Sequence, residues 1–427
     1  MQQFDSTYIR SQFPALTRTV NGQPVAYLDG PGGTQTPQRV LDAVHDYLAH
    51  HNSNIHGVFA TSQETDAMLR AAHEAAGDFL GCAWDEVSFG ANMTTLNLLL
   101  AQALRRELQP GDEVVITELD HEGNRGPWQN IAEHGIVVKE VPVNVATCTL
   151  DWDALEGLIG PRTRVVAIGY ASNATGTVND VKRAIALAKR VGAWTVIDAV
   201  HYALHGPIDV RDLDCDFLLC SAYKFFGPHV GMMYGRRSVT EKLRPLKLRP
   251  QEDFPPYKFE TGTLNHEGIA GTLAAIDFIA DMGAHHAELV AQYAPDRLAG
   301  LSGRRRDIVA GMLATEAFEQ PLAQRLIDGL SAIPGLRIYG PPAGHPRTST
   351  VSFTLGDWNA HEIARRLADQ GLFVWDGDFF ATRLVEKAGL VERGGLVRIG
   401  LAPYSTPDEV ERVIAAVAAL AHPSASA

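Results

Sequence analysis

Cysteine is scarce in this sequence: there are four in 427 residues, Cys82, Cys148, Cys215 and Cys220, with no CxxC pair and no zinc-ligand spacing. That argues against a disulfide framework and against a structural metal. Long hydrophobic runs are missing as well. No window is apolar for long enough to span a bilayer, and the N-terminal MQQFDSTYIRSQFPAL has no basic stretch followed by an apolar core. The expectation is a cytoplasmic protein with no membrane partner. Basic charge is outnumbered, 37 lysines and arginines against 50 acidic residues for a net charge of -13, which argues against a nucleic-acid partner. The local run of Arg304, Arg305 and Arg306 reads as a solvated face or loop. Histidine is plentiful at 16, but His50 and His51 lie in DAVHDYLAHH, which reads as one helical end and not as a metal site.

What is present is an ordinary globular composition, 45% hydrophobic and 20% charged, in a chain longer than one typical domain. Apolar, β-branched runs at 113–118 (EVVITE), 136–143 (IVVKEVPV), 164–172 (RVVAIGYAS), 193–200 (AWTVIDAV) and 216–222 (DFLLCSA) alternate with helical patterns such as DVKRAIALAKRVG. Near-continuous apolar strands alternating with helices imply a mostly parallel sheet covered on both faces, an α/β fold. Ligands bind beyond the carboxyl ends of such strands. After about residue 275 the pattern changes. A helical stretch at 308–332 leads to RIYG (337–340), STVSFTL (349–355), HEIARRLADQG (361–371), LFVWDG and LVRIGLAP, the outline of a smaller α+β domain. The expected division is a large domain at 1–290, including the N-terminal segment, and a small C-terminal domain at 291–427. The polar segment from Gly283 to Asp307 reads as a linker or insertion.

Reactive residues fall just after the predicted strands. FLLCSAYKFFGPHVG (217–231) carries one formal charge, Lys224, among apolar and aromatic neighbours. Lys224 is either a lysine snorkelling from a turn or a desolvated amine able to hold a carbonyl as a Schiff base. VSFG is followed by ANMTTLNLLL, where a helix N-terminus would offer N–H groups to a phosphate, although capping alone also explains Asn92 or the threonines. His121 follows VVITE, Asn173 follows VVAIGYAS, and Asp198 ends WTVID, with His201 next; Ser221, Tyr223 and Lys224 follow DFLLC. A carboxylate at the end of an apolar strand is costly unless it meets a cation, and a protonated pyridine nitrogen is such a cation. An imidazole for a ring, an amide for a phenolic oxygen, donors for a phosphate and a lysine for an aldehyde together describe pyridoxal 5'-phosphate.

With these residues in place, the sequence resembles the class V aminotransferase group of fold type I pyridoxal-phosphate enzymes, most closely its cysteine desulfurase and selenocysteine lyase branch. The resemblance runs from YLDGPGG (27–33) to VRIGLAPYSTPDEV (397–410). It implies the large domain with a seven-stranded type of sheet plus the small domain. It makes Lys224 of SAYKFFGPHVGMMYGR the Schiff-base lysine, stacks His121 on the ring, pairs Asp198 with the pyridine nitrogen and sets Asn173 near the phenolic oxygen. Asn92 and Met93 would give backbone donors to the phosphate and Ser221 a hydroxyl. FETGTLNHEG (259–268) resembles the segment that enters a neighbouring subunit's site, which implies a homodimer with Thr263 on the partner's phosphate. Arg398 matches the arginine that holds the substrate carboxylate, and Asn54 and His56 of NSNIHGVF resemble residues on the substrate side.

The sequence also departs from the desulfurase pattern. Those enzymes carry a mobile cysteine shortly before the carboxylate-binding arginine, whereas VWDGDFFATRLVEKAG (374–389) contains none and places Phe380 about where the nucleophile would stand. Cys220 is near Lys224 in sequence but lies on the apolar strand, where a thiol is more often a buried hydrophobe. His201 replaces a glutamine near the phenolic oxygen and Tyr223 replaces the histidine before the lysine. The expectation is β-elimination, carbon–sulfur lyase chemistry, on a small sulfur-bearing amino acid without a persulfide cysteine. Transamination to a keto acid is the alternative. A non-catalytic pyridoxal-phosphate-binding protein is the third reading, disfavoured because lysine, aspartate and arginine are all in place.

Overall fold

In the computed structural model, which describes residues 3–421, the apolar runs form one seven-stranded sheet. Its strands in chain order are β1 (Val87–Gly90), β2 (Glu113–Thr117), β3 (Val137–Val141), β4 (Thr163–Gly169), β5 (Trp194–Asp198), β6 (Phe217–Ser221) and β7 (Gly231–Gly235). They lie in the spatial order β1-β7-β6-β5-β4-β2-β3. The pairs β2/β3, β2/β4, β4/β5 and β5/β6 are parallel, and only β7 runs against its neighbours β6 and β1. Successive side chains of a strand point to opposite faces. In β6, Leu218 and Cys220 join the core beneath α1 (Ala60–Leu80), while Phe217 and Leu219 join the core beneath α2 (Met93–Arg105) and α3 (Glu122–Asn130). Helices α4 (Val181–Arg190) and α5 (His266–His285) lie over the Cys220 face. Burial on both faces is why these strands read as unbroken apolar runs instead of alternating ones.

A second sheet sits toward the C-terminus. After α6 (Gly303–Ser331) come β8 (Leu336–Tyr339), β9 (Thr350–Leu355), α7 (Ala360–Ala368), β10 (Trp375–Gly377), β11 (Leu396–Gly400) and α8 (Pro407–Ala421). The four strands are antiparallel in the order β8-β9-β11-β10. The start of the chain crosses over to this unit: Ala26 and Tyr27 pair in parallel with Leu372 and Phe373, Ala26 and Leu28 enter its core, and Asp29 bridges to Gly400. Helix α6 serves both cores. Ile308 and Met312 pack in the large one, Leu322, Leu326 and Leu330 in the small one, and Pro321 lies between.

The polar segment read as a linker is a packed helical corner. Helix α5 continues to His285, a short helix covers Ala287–Tyr293, and Val290 is buried against Leu313 and Ala314. His286 stacks on Phe4 with ring centroids 4.4 Å apart. Arg305 is not on a solvated face either. It donates to the carbonyls of Asp78 and Phe79, acceptors that α1 leaves open at its C-terminal end, and to that of Ile208, and Arg304 pairs with Asp78. Across the fold, His73 of α1 is buried with its Nε2 2.8 Å from Glu260 Oε1, an oxygen that also accepts from the Phe89 N–H of β1. Among the described residues, no helix is long and apolar enough to cross a membrane, and no cluster of three or more His, Cys, Asp or Glu is placed to hold a metal ion.

Candidate active site

The carboxyl ends of β4, β5 and β6 open into one cavity of about 390 Å3, and most of the strand-end residues singled out by the sequence line it. Strand β6 passes at Ser221 into a tight turn, Ala222–Lys224, that aims Lys224 into this space. Lys224 Nζ donates to the Pro31 carbonyl. Burial, followed by the nearby Arg398 guanidinium, lowers the amine to about 7 against the opposing pull of Asp198 and Asp29. Lys224 thus turns into the cavity and not out to solvent.

Asp198 closes β5, with 8% of its surface exposed. Its Oδ1 accepts from the Val200 N–H at 2.9 Å. Burial pushes its carboxyl up to about 7, and buried Asp120 adds to the effect. Such a group is stabilised by a cation placed against it. Asp120 is itself held by the Gly169 N–H and the Asn124 amide, both at 3.0 Å. His121 caps α3: its Nδ1 accepts from the Gly123 N–H at 2.8 Å, which leaves the proton on Nε2. Burial and the charges of Lys224 and Arg398 lower His121 to about 4, so the ring facing the cavity is neutral.

Helix α2 points its N-terminus at the same cavity. Asn92 caps it by accepting from the Thr95 N–H at 2.9 Å, and the Met93 N–H donates to Ser221 Oγ at 2.9 Å. Thr94, exposed at the first turn, lines the cavity beside them. His201 is buried, its Nε2 within 3.1 Å of Thr348 Oγ1 and 2.9 Å of Thr350 Oγ1. Tyr223 stacks on His229 with centroids 4.9 Å apart. Asn173 donates to the Phe379 carbonyl at 2.8 Å, yet its Oδ1 is buried without a partner. A buried acceptor left open, a half-satisfied carboxylate, a helix N-terminus and a neutral ring around one lysine fit pyridoxal phosphate.

A second cavity of about 660 Å3 continues from Lys224 toward the small sheet. Arg398 of β11 lies on its wall, donates to the Asn173 carbonyl at 2.9 Å and sets its guanidinium 4.1 Å from the centre of the Phe379 ring. Arg398 is 4% exposed, its Nε has no partner, and among the described residues it forms no ion pair with a carboxylate. Phe379 and Phe380 both have positive φ, 56° and 57°. Each such conformation costs on the order of 1–3 kcal/mol and persists only where its surroundings enforce it. Here the Glu122 N–H holds the Phe380 carbonyl at 2.7 Å, Asn173 holds the Phe379 carbonyl, and Asp378 accepts from the Phe380 N–H and from Thr382 Oγ1. The Phe380 ring stacks on His121 with centroids 5.4 Å apart.

Three residues named from the sequence do not line these cavities. Thr263 is exposed on the segment before α5. Asn54 and His56 are exposed as well, and the His56 ring lies 3.3 Å from Asp66. None of the four cysteines lines either cavity, and burial holds their thiols well above the ordinary range. The sequence reading missed Asp29, whose Oδ1 is buried without a partner and whose carboxyl is raised by burial to about 6. It also missed Asp120. The D of YLDGPGG was visible, but nothing local marked it as facing Lys224.

Comparison with known proteins places the chain as follows. The sequence profile of the family described as aminotransferase class-V matches residues 26–311 and 307–413. A cysteine desulfurase of Pectobacterium atrosepticum is 32% identical over 424 residues, covering 95% of this chain and 96% of that protein. Another from Klebsiella pneumoniae is 31% identical over 429 residues, covering 96% and 97%. Among solved structures, the apo cysteine desulfurase of Thermococcus onnurineus matches with a TM-score of 0.85 at 25% identity, covering 99% of both chains. The Escherichia coli cysteine desulfurase CsdA, in its S-sulfonic acid form, matches at 0.80 and 28% identity, covering 97% and 98%.

Proposed function

Because the chain belongs to the aminotransferase class V family of pyridoxal-phosphate-dependent enzymes, we propose that it is a carbon–sulfur β-lyase acting on a sulfur-bearing amino acid without a persulfide cysteine. The observation that carries this reading is the 374–389 loop, which presents Phe379 and Phe380 to the cavity where a thiol would be needed, while all four cysteines lie elsewhere. Elimination needs no thiol, because the sulfur leaves with the substrate's own bond.

The placement of the side chains supports the following roles. Arg398, buried and in no ion pair among the described residues, receives the substrate carboxylate, a task its planar fork suits. Lys224, with its amine lowered to about 7, is available unprotonated near neutral pH to take the α-proton. Bound pyridoxal phosphate supplies the electron sink for the resulting carbanion. Asp198 would pair with the pyridine nitrogen, neutral His121 would cover the ring, and Asn173 with His201 would serve the phenolic oxygen. The α2 N-terminus at Asn92 and Met93, with Ser221, would hold the phosphate. Tyr223 lies beside the lysine.

Thr263, exposed on one chain, fits a homodimer in which this segment completes the other copy's phosphate site. Four free cysteines suit the reducing cytoplasm.

The test combines isotope exchange and product analysis. The holoenzyme exchanges the α-proton of its amino acid substrate for deuterium and releases pyruvate with the sulfur fragment, and Lys224→Ala abolishes both. Exchange at the wild-type rate in Lys224→Ala would remove Lys224 from its role. Accumulation of a keto acid with the substrate's full carbon skeleton, together with pyridoxamine phosphate, would mark an aminotransferase instead.

A further inference from the structure

The cavity beyond Lys224 is far larger, and more aromatic, than the side chain of cysteine requires. Its 660 Å3 are walled by Leu98, Pro127, Trp375, Phe379 and Phe380, within the size range of pockets that hold whole drug-sized ligands. The two phenylalanines stand at the mouth of this cavity, Phe379 half-buried and Phe380 67% exposed. Their left-handed backbones are fixed by Glu122, Asn173 and Asp378, which are anchored on three separate segments of the site. The cations on this wall are Lys224 and Arg398, both engaged by the amino-acid end of the substrate. Apart from His121 and Tyr223, whose phenol burial keeps neutral, its remaining ionisable groups are Glu122, Asp376 and Asp378. A substituent carrying its own negative charge would meet only like charge there.

On the lyase reading above, from which this inference proceeds, we propose that the substrate is an L-cysteine whose sulfur bears a neutral aromatic or bulky apolar substituent. With the carboxylate on Arg398 and the α-carbon at Lys224, the sulfur substituent extends among Leu98, Trp375 and the paired phenylalanines. Lys224 removes the α-proton. The Cβ–S bond then breaks with its electron pair on sulfur, and the thiolate takes up a proton and leaves as the free thiol. The remaining 2-aminoacrylate tautomerises to an imine that one water hydrolyses to pyruvate and ammonium. The balance is one conjugate and one water in, with thiol, pyruvate and ammonium out, and no oxidant or reductant is consumed.

The holoenzyme is assayed for pyruvate and thiol with L-cysteine, S-methyl-, S-phenyl- and S-carboxymethyl-L-cysteine. The expected kcat/KM for the S-phenyl compound exceeds that for L-cysteine by about tenfold or more, since an added apolar group in a pocket is worth roughly 10- to 200-fold. S-carboxymethyl-L-cysteine is the slowest of the substituted compounds. Phe380→Ala lowers kcat/KM for the S-phenyl compound by a larger factor than for L-cysteine, and Phe380→Leu recovers part of the loss. A preference for L-cysteine, or equal loss on both substrates in Phe380→Ala, overturns the proposal. Deuterium exchange that follows the same size order without pyruvate or thiol would instead overturn the lyase reading and leave the side-chain class standing.

Discussion

Lys224 is pulled in two directions: burial and Arg398 favour its neutral form, while Asp198 and Asp29 favour its cation. The balance at about 7 has a measurable consequence for the apo-protein. Between about pH 7 and the ordinary lysine value of 10.5, the unfolded chain holds a proton that the folded chain lacks. Stability therefore rises with pH through that window, and the burial penalty is fully present only below pH 7. In urea unfolding of apo-protein, the wild type should gain on Lys224→Met as pH rises from 7 to 9, with a slope approaching about 1.4 kcal/mol per pH unit. A difference that stays flat over this range would mean the amine is protonated in the folded state. The place of Lys224 in the cavity was legible from sequence because a lone cation in an apolar run is conspicuous. Asp29 was not, because its chemistry arises only when the chain's start is laid beside Arg398, some 370 residues later, and no local pattern encodes that meeting.

At the scale of elements, the segment that carries Thr263 is tied to the large domain by one buried pair. Burial alone would lower His73, yet the Glu260 carboxylate 2.8 Å away outweighs it and raises the imidazole. Glu260→Ala would leave His73 Nε2 and the Phe89 N–H buried without their partner. The expected cost in denaturant unfolding is about 1–3 kcal/mol for each buried group left unsatisfied; a loss below 1 kcal/mol would show that water replaces the carboxylate. The strands of the large sheet were readable because double-sided burial writes itself as continuous Val, Ile and Leu. The two-residue strands at Ala26–Tyr27 and Leu372–Phe373 are too short to show any period. The corner at 283–307 was misread because its polar outer face dominates the composition, while the few inward residues, Val290 above all, decide that it packs. The paired left-handed phenylalanines were likewise invisible, since that conformation is enforced by distant hydrogen bonds and not by residue type.

For the molecule as a whole, the mostly parallel sheet and the presence of a second, smaller unit followed from the alternation of runs, whereas the spatial order of the strands did not. The way the two units share the chain did not, because it depends on contacts between its start and its end. If Thr263 completes a second copy's site, Lys224→Ala and Thr263→Glu are each inactive alone, and subunit exchange between them restores about a quarter of the wild-type sites. That fraction arises because half of the randomly formed dimers are mixed and each of these contains one intact site. Mixtures that stay as inactive as their components would rule out sharing. Within one chain, the two halves of the site are joined by α6 in a mechanical sense. Lys224 belongs to one end of that rod and Arg398 to the other, and Pro321 removes a hydrogen bond from the turn between them. Beyond this turn some ten residues, about 15 Å of helix, form the arm of a lever. A tilt of about five degrees at the proline would carry its far end by roughly 1 Å, the margin on which correct placement of a reacting group depends.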